Sequence, residues 1–178
     1  MIYIFLANGF EEIEAICPID ILKRGGLDVK TVGVTGKTVT GAHGIPFVCD
    51  MEIGEISADA ECLILPGGMP GTLNLANCPK LKELLLKAQK DGRFIAAICA
   101  APSVLGAYGI LKGKKAVCYP GFEEKLDGAT VRDELCVTDG KIITAKGPGA
   151  AAEFGFSILS ALKGETETAE KLKVNMIF

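Results

Sequence analysis

The sequence predicts an α/β protein with a mostly parallel sheet covered by helices on both faces. Two observations carry this: short, almost wholly apolar runs alternate with longer segments of helical period, and Gly or Pro punctuation separates them. Strands buried on both faces read as continuous apolar runs, and right-handed crossovers then place the intervening helices above and below the sheet. At 178 residues, with no linker, repeat or low-complexity stretch, the chain reads as one domain over residues 1–178. A domain of that size buries roughly 70% of its unfolded surface without cross-links.

The first apolar run, Met1 to Ala7, is a strand ended by Asn8-Gly9, and acidic residues from Glu11 onward mark a helix N-terminus. Gly25-Gly26 stops that helix, and Leu27 to Val34 follows as a second strand. Gly36, Gly41 and Gly44 punctuate a hairpin of Lys37 to Thr40 and Ile45 to Cys49, expected at the sheet edge. Cys62 to Leu65 is a third strand, ending in Pro66-Gly67-Gly68, and Leu81 to Gln89 alternates leucine and lysine as a helix. Phe94 to Ile98 forms a fourth strand, and Pro102 starts a helix, Ser103 to Leu111, that ends near Gly113. Strands at Ala116 to Cys118 and Lys141 to Ala145, a helix from Ala150 to Leu162 and an amphipathic helix from Glu165 to Lys173 complete the chain.

Composition excludes several classes of function. A net charge of -3 argues against a nucleic-acid partner, and no apolar run approaches the ~20 residues of a membrane span. The N-terminus lacks the basic n-region of a secretory signal, so a cytoplasmic protein is expected. Cys17, Cys49, Cys62, Cys78, Cys99, Cys118 and Cys136 are odd in number and contain no C-x-x-C pair, a pattern of reduced thiols. With His43 as the single histidine, no metal site is expected.

In open sheets of this kind ligands bind beyond the carboxyl ends of the strands. Three segments end there: Gly9 to Glu14, Gly67-Gly68 and Cys99. Free cysteines are usually small buried hydrophobes, but Cys99 sits between a strand end and a proline-started helix, with only small residues beside it. That is a nucleophile elbow in outline: small neighbours allow a sharp turn, and the helix N-terminus presents unpaired amides to a thiolate. Gly68 offers a second amide, which would favour an oxyanion or an oxidised sulfur.

Glu14 is the expected acid partner. Glu11 and Glu12 are explained by the helix dipole and are expected in solvent, whereas Glu14 shares an apolar stripe with Cys17, Pro18 and Ile21. Its carboxyl is therefore expected to be desolvated with a raised pKa, and Pro18, which crowds the carbonyl of Glu14, is expected to kink the helix. A carboxylate would repel a thiolate, so the pair must share protons, with protonated Glu14 donating to the sulfur. His43, among Gly41, Ala42 and Gly44, reads as a turn residue, and Tyr119 and the Gly147-Pro148-Gly149 loop are pocket candidates together with Gly67.

With Gly9-Phe10-Glu11-Glu12-Ile13-Glu14, Leu65-Pro66-Gly67-Gly68, Ala96-Ala97-Ile98-Cys99-Ala100-Ala101-Pro102 and Lys146-Gly147-Pro148-Gly149 in this order, almost the whole chain resembles the ThiJ/PfpI (DJ-one) family, in the branch close to the parkinsonism-linked protein. The resemblance implies a flavodoxin-like three-layer sandwich and a homodimer. It also implies Cys99 as the reactive cysteine, Glu14 as its acid, and the amides of Gly68 and Ala100 as oxyanion donors. Protease-like branches carry a histidine directly after the cysteine; Ala100 stands here, which argues against proteolysis. Tyr119 falls where members of the nearest branch often place a histidine.

Two readings of function follow from the resemblance. In one, Cys99 adds to a small reactive carbonyl such as methylglyoxal, or acts on a glycated adduct, and Glu14 shuttles the proton without any cofactor, as in a glyoxalase or deglycase. In the other, the protein is a redox-responsive stress protein or chaperone in which Cys99 is oxidised to sulfinic acid and held by Glu14.

Overall fold

The computed structural model describes residues 1–56 and 59–178. Its core is a seven-stranded sheet. The parallel strands are β1 (Ile2–Leu6), β2 (Val29–Gly33), β5 (Met51–Glu52), β6 (Cys62–Leu65), β7 (Phe94–Ile98) and β11 (Ile142–Ala145), and β10 (Cys136–Asp139) pairs antiparallel with β11. In space the order is β10-β11-β7-β6-β1-β2-β5. Without its two edge strands this is the doubly wound flavodoxin-like order, and it reverses between β1 and β6. The flanking hairpin, β3 (Thr38–Thr40) with β4 (Pro46–Val48), forms its own two-stranded sheet, as do β8 (Lys115–Ala116) and β9 (Thr130–Val131).

Every residue of β1, β6 and β11 is buried, as strands covered on both faces must be. One face packs against α1 (Glu12–Arg24) and α5 (Ala151–Lys163), with α6 (Glu167–Met176) outside α5. The opposite face is covered by α2 (Gly71–Ala76), α3 (Pro79–Lys90) and α4 (Pro102–Ala107). α3 shows the simplest logic: Pro79 opens it, and Leu81, Leu84, Leu85 and Ala88 recur at helical spacing on its buried side. α1 continues across Pro18, which is buried with Glu14 and Ile21 on its inner face.

Several elements depart from expectation. The β3–β4 hairpin is not part of the main sheet; β5 supplies that edge. The expected strand at 116–118 shrinks to Lys115–Ala116 and pairs with β9, outside the main sheet. The helix expected at 103–111 stops at Ala107, before Gly109 with its left-handed φ of 72°. Helix α2 and strands β5 and β10 carried no sequence signal strong enough to place them.

Candidate functional site

The site is assembled at the carboxyl ends of β1, β6 and β7, beside the reversal of strand order. The chain leaves β7 at Ile98, and Cys99 adopts a left-handed conformation with φ 65°. A non-glycine residue pays about 1–2 kcal/mol for that geometry, so its surroundings must impose it. They do so through the backbone: Cys99 N–H donates to the Ala145 carbonyl at 2.9 Å, and the Cys99 carbonyl accepts from Tyr119 N–H at 2.8 Å. Ala101 N–H then turns back onto the Ile98 carbonyl at 3.1 Å, and Ser103 Oγ donates to the Ala100 carbonyl at 2.6 Å. Ala100 and Ala101 are buried at the junction, where a larger side chain would have no room.

Glu14 reaches this turn from the first turn of α1 and is fully buried. Its Oε2 accepts from Gly67 N–H at 2.9 Å, while its Oε1 makes no well-formed hydrogen bond. Gly67 also accepts from Glu11 N–H at 3.0 Å, which fixes the start of α1 against the end of β6. The absence of a side chain at Gly67 is a steric necessity. A Cβ there would lie 2.7 Å from both Cys99 Cβ and Glu14 Oε2, so thiol and carboxyl meet against its bare Cα.

The electrostatics follow from that crowding. Burial first pushes Glu14 up to about 7, against the opposing hydrogen bonds from Cys99 and Gly67, and negative Glu11 adds to the rise. Burial likewise leads in pushing the Cys99 thiol up to about 12, with the charge and hydrogen bond of Glu14 behind it, while the amides of Ala100 and Gly68 pull it down. These values belong to the pair. The site holds two protons below about 7 and one from there to about 12, because the second must leave from beside an existing negative charge.

Each expected residue has a definite place. Cys99 and Glu14 are adjacent, and the amides of Gly68 and Ala100 act on the sulfur. Gly67, expected as a pocket residue, supports Glu14 through its N–H and does not line the depression formed by Tyr119 and Pro148. Tyr119 and Pro148 line a depression of about 220 Å³ with Pro120, Leu135, Lys146, Gly147, Gly149 and Ala150. Leu135 carries no local sequence signal, and Lys146 enters the sequence reading only as the first residue of the Lys146-Gly147-Pro148-Gly149 motif.

The expectation that Glu12 is solvated is corrected. Only 9% exposed, it accepts from His43 N–H at 2.9 Å and pairs with His43 Nδ1 at 2.8 Å. His43 does sit in a turn, and its Nδ1 also lies 3.4 Å from Glu11 Oε2. These three side chains bring ligand-type atoms within 4.8 Å of one another, an arrangement already explained by an imidazole paired with two carboxylates.

The fold and this turn define a class: doubly wound α/β proteins with a strand-to-helix cysteine backed by a buried acid. Residues 1–161 match the DJ-1/PfpI family, and the chain belongs to that family. It is 41% identical over 169 residues to Protein DJ-1 homolog B of Arabidopsis thaliana, covering 93% of this chain but only 39% of that protein. The chain thus spans about two fifths of the length of that relative. It is 39% identical over 166 residues to the glutathione-independent glyoxalase DJR-1.2 of Caenorhabditis elegans, covering 92% of this chain and 88% of that one. The solved structure of oxidized Toxoplasma gondii DJ-1 superposes with a TM-score of 0.95 at 32% identity, over 99% of this chain and 97% of the other.

Proposed function

We propose that the protein converts 2-oxoaldehydes to 2-hydroxy acids without a cofactor, with Cys99 as nucleophile and Glu14 as proton carrier. The observation that carries this reading is the fully buried Glu14, one carboxyl oxygen unengaged, set against a cysteine held in a left-handed turn. Proton transfer between adjacent carbons needs such a group: desolvated, with a proton affinity near neutrality, and fixed in place. The relative named as a glutathione-independent glyoxalase supports the same chemistry.

The steps balance. The Cys99 sulfur adds to the aldehyde carbon as Glu14 protonates the oxygen, giving a hemithioacetal whose developing oxyanion faces the amides of Gly68 and Ala100. Glu14, now a carboxylate, removes the proton from that carbon and returns it to the neighbouring carbon, the former ketone, while the hemithioacetal hydroxyl gives its proton to the former ketone oxygen and becomes the thioester carbonyl. The result is a thioester of Cys99, which water hydrolyses to the 2-hydroxy acid and free thiol. Overall one water is consumed and no electron leaves the substrate. A glycated adduct of the hemiaminal type enters at the same sulfur by exchange: the C–N bond breaks, the amine leaves with the proton of Glu14, and the C–S bond of the hemithioacetal takes its place. His43 takes no part, being engaged with Glu12 and Glu11.

Lactate formed from methylglyoxal in the absence of glutathione is the expected result, with a fall of about 100-fold or more in Cys99→Ala and in Glu14→Gln. No lactate above buffer overturns the proposal. A second reading rests on the amides aimed at the sulfur and the protonated Glu14 beside it, which suit a sulfinate equally well. Selective gain of about 32 Da at Cys99 under mild peroxide, without lactate formation, favours that redox-responsive role. The protein is proposed to be cytoplasmic, in keeping with its seven free cysteines, and to form the homodimer that the family resemblance implies, which sedimentation velocity tests directly. Among the described residues no helix is long and apolar enough to cross a membrane.

A further inference from the structure

The geometry points to a substituent subsite beside the reactive pair: the depression walled by Tyr119, Pro120, Leu135 and Pro148 receives the side group of the 2-oxoaldehyde and selects aryl or bulky alkyl groups over a methyl. This inference rests on the aldehyde reading above and names the substrate class for it.

Three observations carry it. The depression adjoins the site at Gly147, one of its lining residues. A Cβ on that residue would lie 3.0 Å from Tyr119 Cδ2 and 4.0 Å from Glu14 Oε1, so the phenol ring and the unengaged carboxyl oxygen flank the same bare Cα. The Tyr119 main chain, in turn, is hydrogen-bonded to the Cys99 carbonyl. A carbonyl attacked at Cys99 therefore has the wall of the depression within one residue of both reacting groups.

The second observation is size. At about 220 Å³ the depression exceeds the roughly 150 Å³ in which an apolar protein cavity holds benzene, far more than a methyl group fills. The third is chemistry. Tyr119 and Leu135 are 47% and 60% exposed, large apolar surfaces left side by side at the rim of a reactive site. Lys146 is the one cation of the lining, and its ammonium is engaged by Asp133, so little there rewards a charged substituent.

The test compares phenylglyoxal with methylglyoxal as a ratio of kcat/KM in the unaltered protein and in Tyr119→Ala, Tyr119→Phe and Leu135→Asp. Taking the ratio within each variant removes the difference in intrinsic reactivity of the two aldehydes. Phenylglyoxal selectivity is expected to fall by about tenfold or more in Tyr119→Ala and Leu135→Asp, and to persist in Tyr119→Phe, which keeps the ring. A ratio unchanged within about twofold in both of the former, with turnover intact, overturns the subsite.

Alkylation of Cys99 by phenacyl bromide and by bromoacetone, followed by intact mass and peptide mapping, gives a second readout that needs no turnover. The aryl reagent is expected to lose its advantage in the same two variants. Absence of turnover with either aldehyde sinks the glyoxalase reading, and the alkylation ratio then decides the subsite by itself.

Discussion

Replacing Glu14 by Gln is expected to be near neutral for stability in acid and stabilising in mildly alkaline solution. The carboxyl titrates near 4.5 in an unfolded chain and is held up to about 7 in the fold. For a raised acid the sign is unambiguous. Below 4.5 the group is protonated in both states and costs nothing, and as pH rises the unfolded chain releases its proton first, so the native state loses ground until pH passes about 7. At roughly 1.4 kcal/mol per tenfold change in proton binding, the loss at pH 8 is about 3 kcal/mol. Glutamine has nearly the same shape, keeps an acceptor for Gly67 N–H, and carries no charge at any pH.

Urea denaturation at pH 5 and pH 8 reads the effect as the difference between unaltered and variant proteins, in which all distant titrations cancel. Part of that loss, about 0.8 kcal/mol, is already present at pH 5, so the variant is expected to gain about 2.5 kcal/mol on the unaltered protein between the two conditions. Cys99 does not obscure the result, since its ionisation in the unfolded chain is centred on 9.0 and touches only about a tenth of the thiols at pH 8. A difference independent of pH would mean that Glu14 is solvated or ionised at no cost, and the proton-carrier role would fall with it.

Three further outcomes follow from neighbouring geometry. Gly67→Ala places a methyl 2.7 Å from Cys99 Cβ and from Glu14 Oε2, and is expected to abolish thiol reactivity and cost about 1–3 kcal/mol, checked by alkylation rate and urea midpoint. Cys99→Gly is expected to be more stable than Cys99→Ala by about 1 kcal/mol by thermal melting, since glycine accepts the φ of 65° that alanine must be forced into. His43 is raised above 6.5 by its bond to Glu12, so the stabilising contact between the hairpin turn and α1 is fully present below 6.5 and fades as pH climbs through the higher folded value. An imidazole titration followed by NMR checks that, and Glu12→Gln is expected to bring it back toward the ordinary histidine value.

The strand-to-helix junction was legible because its cause is local. Phe94 to Ile98 is a continuous apolar run, Pro102 can only start a helix, and the residues between must turn within three positions. Glu14 was legible for a related reason, since helical spacing alone puts it on the face that buries Pro18 and Ile21. Glu12 was misread because the helix dipole gives any acid there a sufficient explanation, whereas its burial depends on His43, which lies 31 residues away in the turn between β3 and β4. The same distinction explains the missed elements. Gly71–Ala76 makes fewer than two turns and shows no period, and Met51–Glu52 and Cys136–Asp139 are short edge strands whose exposed sides look like loop. Alternation in the hairpin at 37–49 announces strands but says nothing about which sheet receives them.

The pair at the centre of the site is in conflict by construction, and that conflict is what makes it useful. An isolated buried carboxyl would keep its proton and an isolated buried thiol would keep its own; forced against each other at Gly67, they pass from two protons to one as pH rises through about 7 and share that one above it. Whichever group has the proton lowers the cost of charge on the other, so moving it from carboxyl to sulfur and back requires no outside base. A cysteine paired with histidine solves the same problem with an imidazolium, whose positive charge stabilises the thiolate before substrate arrives. Among the described residues no cation stands beside the sulfur, and the amides of Ala100 and Gly68 are what lowers its pKa. The thiolate is thus a minor form at rest, produced as the carboxyl takes up the proton. The carboxyl can then give that proton to the oxygen of a bound carbonyl. This accounts for the cost accepted at Glu14 and at the left-handed Cys99 together: each strain is unproductive alone, and only their juxtaposition yields a proton that can travel.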